Sequence, residues 1–372
     1  MFTSEDEIVE SLLAAKAKTP SKPASLTQRA AKIFRRERDN GGLPEPLARR
    51  LAALARSSVR LETRRVEDEA EIGLGATKLG GSPDLPDNLD WPVRPTYPDA
   101  AERVARCREE SEAPDSHWSW ATAEDCESFR RDYVQMAEIL GGPYPLQFVC
   151  QIDFAEMWRA GPLDPDFPKS GLLSVFYDSL EMPWGFDPSD HAGSTILFHE
   201  QGSGTLVRLE TPKEFAAVER YLPTAPLACT SHACLRPLPI ETAVFDEVKL
   251  TQGQESTYRD WWWQVTDPEE GDESEWNHHL VGGWPVPIQG DMQTECALVA
   301  AGHYCGDSTA YRAPETASVR ATAGEWVLLL QLGSDEPAGM MWGDVGNLYV
   351  WIRREDLIAR RFEAARLILQ CT

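Results

Sequence analysis

The strongest constraint on this chain is an echo within it. Gly80-Gly81-Ser82-Pro83 is answered by Gly282-Gly283-Trp284-Pro285. Phe148-Val149-Cys150-Gln151-Ile152 is answered by Leu328-Leu329-Leu330-Gln331-Leu332. Gly171-Leu172-Leu173-Ser174-Val175-Phe176 is answered by Gly346-Asn347-Leu348-Tyr349-Val350-Trp351. The order is the same in both halves, and short apolar runs between Gly/Pro turns predict antiparallel strands rather than βαβ winding. The expected fold is therefore α+β: two related halves of mainly antiparallel sheet packed together, with N-terminal helices and a helical insertion. Such a plan predicts two sheets meeting at a seam. Gln151 and Gln331 each interrupt an apolar run, and a buried amide needs partners. A hydrogen-bond network shared across the seam is the expectation for this pair, and both are candidate binding residues.

With 372 residues the chain exceeds the size of a single core, so two core units are expected. Residues 1–57 read as helical. Ile8, Val9, Leu12 and Leu13 share a face, as do Leu26, Ala30, Ile33 and Phe34, and then Leu47, Leu51 and Leu54 after Pro44 and Pro46. Each apolar face needs cover, which favours docking on the body. Residues 58–250 form the first half, opening on the alternation Val59, Leu61, Thr63, and 251–372 form the second. Residues 94–142 read as a polar helical insertion with helices near 101–110 and 124–140.

Charge narrows the partners. The net charge is −24, and residues 1–60 carry +5, which leaves −29 on the remainder. Such a body repels phosphate backbones, so no nucleic-acid partner is expected, while a basic protein partner suits it. No apolar run reaches the length of a membrane span, and residues 1–10 carry acids where a secretory signal needs a basic region. No membrane role and a cytoplasmic location follow as expectations. Eight scattered cysteines without a CxxC pair read as reduced thiols.

Standard catalytic and cofactor signatures are missing: there is no GxSxG, HExxH or paired-cysteine zinc motif, and the stretch 73–78 lacks the third glycine of a dinucleotide loop. No cofactor is expected. Cys229, His232, Cys234, His303 and Cys305 have no standard zinc spacing. Asp187, Asp190 and His191 follow Pro183-Trp184-Gly185-Phe186, and offer hard-cation ligands or an Asx-type turn. The main candidate site lies in the second half, where His278, His279, Gln289, Asp291, Glu295, Trp342 and Asp344 occupy Gly/Pro-rich or polar loops beside strands. Asp291 and Asp344 adjoin glycines, so turn stabilisation is the alternative role for them. Trp261-Trp262-Trp263 precede the acidic stretch 267–275, a combination suited to a basic protein segment. In the plainer alternative these tryptophans alternate in a strand, two buried and one exposed. Binding of a basic partner, with Trp262 in the contact, is thus one expected function, and a small-molecule ligand is compatible with it. The alternative is a metal-dependent or acid–base hydrolase acting on a small molecule through His279, Asp291, Glu295 and Asp344, which requires these four to converge.

The same segments carry a likeness. Residues 78–86 (Lys-Leu-Gly-Gly-Ser-Pro-Asp-Leu-Pro), 146–153 with their Gln-Ile-Asp core, and 169–178 (Lys-Ser-Gly-Leu-Leu-Ser-Val-Phe-Tyr-Asp) resemble the YwqG-like family, a domain of unknown function. So do Pro287-Ile288-Gln289-Gly290-Asp291-Met292 through Cys296, Gly339-Met340-Met341-Trp342-Gly343-Asp344-Val345-Gly346, and the ending from Trp351-Ile352-Arg353-Arg354 to Cys371. The resemblance covers roughly residues 58–372, with 94–142 interrupting its usual pattern. It implies an α+β fold of antiparallel sheet in a bacterial cytoplasmic protein and no established reaction. Relatives encoded near secreted-toxin genes extend the implication to an immunity-type or regulatory binding role.

Overall fold

A computed structural model describes residues 1–15, 43–200, 202, 204–218, 225–242, 244–266 and 279–372. The first half supplies β1 (Arg56–Arg65), β2 (Lys78–Leu79), β3 (Asp84–Pro86), β4 (Val93–Arg94), β5 (Tyr144–Pro145), β6 (Gln147–Asp153), β7 (Leu172–Tyr177), β8 (Ser194–His199) and β9 (Leu206–Arg208). The first half closes with β10 (Leu227–Arg236), and the second supplies β11 (His279–Val281), β12 (Trp326–Gly333), β13 (Asn347–Arg353) and β14 (Arg366–Gln370). Ten of these strands form one antiparallel sheet in the order β14-β13-β12-β11-β1-β10-β2-β6-β7-β8.

The expected seam between two sheets is therefore replaced by a strand pair. β1 and β10 match along their whole length, from Arg56 opposite Arg236 to Arg65 opposite Leu227. β1 also pairs with β11, while β10 pairs with β2. Strand β1 thus joins β10 of the first half to β11 of the second, which makes the sheet continuous. Its two edges curl back toward each other: Leu369 of β14 donates its N–H to the Trp184 carbonyl at 3.0 Å, and Phe198 of β8 lies 4.5 Å from Phe362. Gly185 permits this approach. At φ 89° it occupies the left-handed region, and a Cβ there would collide with the Leu367 carbonyl.

Each of the ten strands contributes to one core, including Val59, Leu79, Val149, Val175, Ile196, Leu227, Val281, Leu330, Val350 and Leu367. The strands following the GGxP turns are buried on both faces, which explains their unbroken apolar runs. On the outer side of the second half, Trp326, Leu328, Tyr349 and Trp351 are covered by α7 (Met292–Ala300).

The echo corresponds to matched geometry. Gly80 N–H bonds the Val149 carbonyl at 2.8 Å, and Gly282 N–H bonds the Leu329 carbonyl at 3.0 Å. Each acceptor sits at a register shift, between Phe148 and Cys150 in one strand and Leu328 and Leu330 in the other. Gln151 Oε1 accepts from Asp84 N–H at 2.9 Å, and Gln331 Oε1 accepts from Val286 N–H at 2.8 Å. The glutamines do not share a network. Each satisfies the turn of its own half, because β2 and β11 carry those turns directly over the two amides.

The N-terminal segment docks through α1 (Glu5–Ala14) and α2 (Glu45–Ala52). Ser4 caps α1 by accepting from Glu7 N–H, and Ile8, Val9 and Leu12 pack with Trp261 and Trp262 of helix Gln252–Thr266. Trp261 donates to Ser11 Oγ at 2.8 Å. The triple tryptophan is thus helical, not a strand. Two rings still point inward, because adjacent positions on a helix lie 100° apart and Trp261 and Trp262 straddle the apolar face. The expected helix on Leu26, Ala30, Ile33 and Phe34 and the acidic stretch 267–275 fall outside the described residues.

The insertion folds as α3 (Ala100–Ser111) and α4 (Ala123–Leu140), within a residue of the expected spans. Buried arginines pin it to the body. Arg94 pairs with Asp178 at 2.7 Å, and Arg103 with Glu181 at 2.7 Å and Asp190 at 3.1 Å. Removing one partner of such a pair strands a buried charge, a loss of about 3–5 kcal/mol.

Candidate functional site

One end of the curled sheet carries a cavity of about 470 Å³ where the two edges approach. Trp184 and Phe186 wall one side. The other side is made by Gln289, Gly290, Asp291, Thr294 and Glu295 at the start of α7, by Cys305 and Tyr311, and by Leu369 and Gln370 of β14. Gln370 shapes the rim: its Oε1 accepts from the N–H groups of Ile288 and Gln289, both at 3.0 Å. Cys305 N–H bonds the Phe186 carbonyl at 2.8 Å, so the wall from the first half is tied to that from the second.

Asp291 is the N-cap of α7 and accepts from Gln293 N–H, Thr294 N–H and the Thr294 hydroxyl. Glu295 lies one helical turn further on, beside the same carboxylate. Burial and then the Asp291 charge push its carboxyl up to about 7, against a hydrogen bond from Tyr311 that lowers it. Among the described residues no Arg or Lys acts on Glu295. The contrast with other buried acids is sharp, since Asp84, Asp178 and Asp190 each pair with a lysine or arginine. Burial, with Glu295 next, also pushes the Cys305 thiol up to about 11.

Of the residues singled out in the second half, Gln289, Asp291 and Glu295 meet in this cavity. The others do not. His279 is fully buried in β11, its Nε2 3.1 Å from Asp335, a carboxylate that also accepts from the Thr63 hydroxyl. Its place in a strand of the closed core, not a loop, removes it from the site. Trp342 is buried, donates to the Gly333 carbonyl at 3.1 Å and meets Tyr177 edge-on. Asp344 is exposed at a turn, its carbonyl accepting from Thr372. His278 lies outside the described residues. The four groups needed for the hydrolase reading therefore do not converge.

Asp187 and Asp190 form the capping box of a short 3-10 turn spanning Pro188–Gly193. Asp190 also holds Arg103 and accepts from Gly185 N–H, so its oxygens are committed, and His191 stands in the same turn. Among the described residues no group of three His, Cys, Asp or Glu is arranged to hold a metal. The eight cysteines are free thiols. Trp262 is core, fully buried in its helix, while Trp263 is partly exposed. No helix among the described residues is long and apolar enough to cross a membrane.

Several residues of the cavity escaped notice in the sequence. Trp184 and Phe186 stood only as the lead-in to the Asp187 turn, and Cys305 and Tyr311 had no local pattern tying them to Glu295. The Gly185 kink between the two aromatics was the one available signal.

No curated protein matches the chain. A family model does, over residues 77–371, which begins at the strand entering the first GGxP turn and ends beside the cavity at β14. The matched span contains both glutamine-held turns and every residue of the cavity. The chain thus belongs to the family described as domain of unknown function 1963, DUF1963.

Proposed function

We propose that the protein is a cytoplasmic binding protein whose cavity receives a cationic side chain, lysine or arginine, from a basic protein partner. The observation that carries this reading is Glu295, a largely enclosed carboxylate on which no lysine or arginine acts among the described residues. Enclosing a carboxylate is unfavourable unless a cation joins it. Trp184, Phe186 and Tyr311 add ring faces that attract an ammonium or guanidinium group. The net charge of −24 steers such a partner toward the surface.

The test is calorimetric titration with acetyl-lysine methylamide and acetyl-arginine methylamide. Both are expected to bind weakly, and binding is expected to fall at least about tenfold in Glu295→Gln and in Asp291→Asn. Asparagine still caps a helix, so the second variant removes charge without removing the cap. Binding also strengthens as pH rises from 6 to 8, because Glu295 ionises near 7 while Tyr311 and Cys305 stay neutral. Failure of both cations to bind, or equal binding to Glu295→Gln, would overturn the reading. Acid–base hydrolysis draws on the same Glu295, since a carboxyl near 7 suits proton transfer. It would show as ester turnover by the wild type that Glu295→Gln lacks.

A further inference from the structure

Among the described residues three arginines are buried: Arg94, Arg103 and Arg236. Two of them are fully engaged. Arg94 donates to Asp178 at 2.7 Å and to the carbonyls of Pro95, Ile139 and Gly142. Arg103 donates to Asp99, Glu181 and Asp190. Arg236 differs. It is 3% exposed, and its Nε and Nη2 are both enclosed without a hydrogen-bond partner. A guanidinium stays charged at neutral pH, and enclosing it unpaired is among the costlier arrangements a fold can hold.

The side chain is set in place by the second GGxP turn. Arg236 ends β10, and Gly283 packs on its stem: a Cβ added at Gly283 would lie 3.3 Å from Arg236 Cγ and 2.6 Å from Ser58 Cβ. The matching glycine of the first turn, Gly81, packs instead on Glu69, whose carboxylate is bonded to Lys78 and to Ser82 N–H. The same position in the echo therefore faces a satisfied acid in one half and an unsatisfied base in the other. The surroundings of Arg236 are basic as well. Burial pushes the nearby Cys234 thiol up, while Arg236 and then Arg60 draw it down. Among the described residues no carboxylate acts on Cys234 or on Arg236.

The two orphaned nitrogens identify the ligand chemistry. Nε and Nη2 lie on one edge of the guanidinium plane, the edge that takes both oxygens of a single carboxylate or phosphate. Arg208 uses that edge in the same molecule, with Nε 2.8 Å from Asp84 Oδ1 and Nη2 3.3 Å from Asp84 Oδ2. We propose that Arg236 is the anchor of an anion site, holding a small oxyanion (a carboxylate or a phosphate) side-on as Arg208 holds Asp84. A halide, with one centre in place of two oxygens, satisfies that edge less well, so the site favours oxyanions over chloride. Arg236 does not line the cavity around Glu295, so this site and the cation reading stand or fall separately.

The experiment is thermal unfolding of the full chain at pH 7 in sodium chloride, with sodium phosphate or sodium acetate exchanged in at constant ionic strength. At least one of the two is expected to raise Tm saturably, by about 2 °C or more. The rise is expected to vanish in Arg236→Met, which in chloride should melt no lower than the wild type, because it removes an unpaired buried charge. A response to phosphate alone assigns the site to phosphate groups, and a response to acetate alone assigns it to carboxylates. Calorimetric titration with the same anions gives a second reading that holds even if Arg236→Met does not fold. Affinity should fall tenfold or more in Arg236→Lys, which keeps the charge and loses the two-nitrogen edge. The proposal is overturned if neither anion raises Tm above the chloride control, if Arg236→Met responds as the wild type does, or if Arg236→Lys binds undiminished.

Discussion

At the turn after β2, a glutamine, an aspartate, a lysine and an arginine bond one another almost without water. At the matching turn after β11 the glutamine is kept and the charges are gone. Lys78 and Asp84 are both fully buried, 3.5 Å apart, and Arg208 reaches Asp84 at 2.8 Å while Glu69 meets Lys78 at 2.9 Å. Leu280 and Val286 stand at the equivalent positions, with Trp284 beneath Arg56 and bonded to the Leu54 carbonyl. Burial by itself would raise the Asp84 carboxyl, but bonds from Arg208 and Gln151 hold it below the usual range. One backbone path is therefore compatible with an ionic or an apolar filling. What both turns need is the amide oxygen that accepts the N–H of the residue after proline, because that group is buried and has no other acceptor.

The largest expected effect tests whether the ionic filling is replaceable. Asp84→Val alone leaves Lys78 and Arg208 without their shared partner and should destabilise the protein by about 3–5 kcal/mol in denaturant unfolding. The double variant Lys78→Leu, Asp84→Val copies the second-half turn and should recover at least half of that loss. If it is no better than the single variant, the two turns are not interchangeable and the comparison breaks.

The second test sets paired acids against the cavity acid. Glu295 titrates near 7 in the folded chain and near 4.3 when unfolded, so the folded state holds its proton more tightly. Its contribution is favourable below about 4.3 and is lost as pH rises through about 7, a difference of up to about 4 kcal/mol. Glu295→Gln should therefore raise stability at pH 8 and change it little at pH 4, as read by thermal unfolding at both. For Asp84 the sign is opposite. A depressed carboxyl stabilises above its unfolded value and loses that stabilisation as pH falls through its folded one. An acid kept at a stability cost is the signature of a group retained for binding. A neutral or destabilising Glu295→Gln at pH 8 would remove that distinction.

The smallest effect separates the glutamines. Gln151 uses its oxygen on Asp84 N–H and its Nε2 on the Ala76 carbonyl and Asp84, whereas Gln331 Nε2 has no partner. Gln151→Leu should cost about 3 kcal/mol and Gln331→Leu about 1–2 kcal/mol, by urea titration. Equal losses would mean the shared oxygen bond alone carries both turns.

The strands and both insertion helices were legible because their patterns are local: alternation in β1, unbroken apolar runs in β6 and β12, and helical spacing in α3 and α4. The glutamines were recognisable as anomalies, yet their partners were not, since a buried amide announces a need without naming what fills it. The candidate site was legible in part. Gln289, Asp291 and Glu295 lie within seven residues at the start of one helix, so they remain together wherever that helix goes. His279 and Trp342 look equally polar or aromatic in sequence, and only their position on strand or core separates them from the site.

By itself the sequence determined the antiparallel strands, the repeated turns with their glutamines, the acidic charge and the helix that carries Asp291 and Glu295. These depend on near neighbours and on periodicity. Tertiary structure alone decided that β1, paired with β10 and with β11, joins the two halves into one sheet, and that the Trp184-Gly185-Phe186 loop closes on β14. Both bring together residues more than 160 positions apart, which no local pattern encodes. Until that closure exists, Glu295 has no wall, no burial and no reason to titrate near 7.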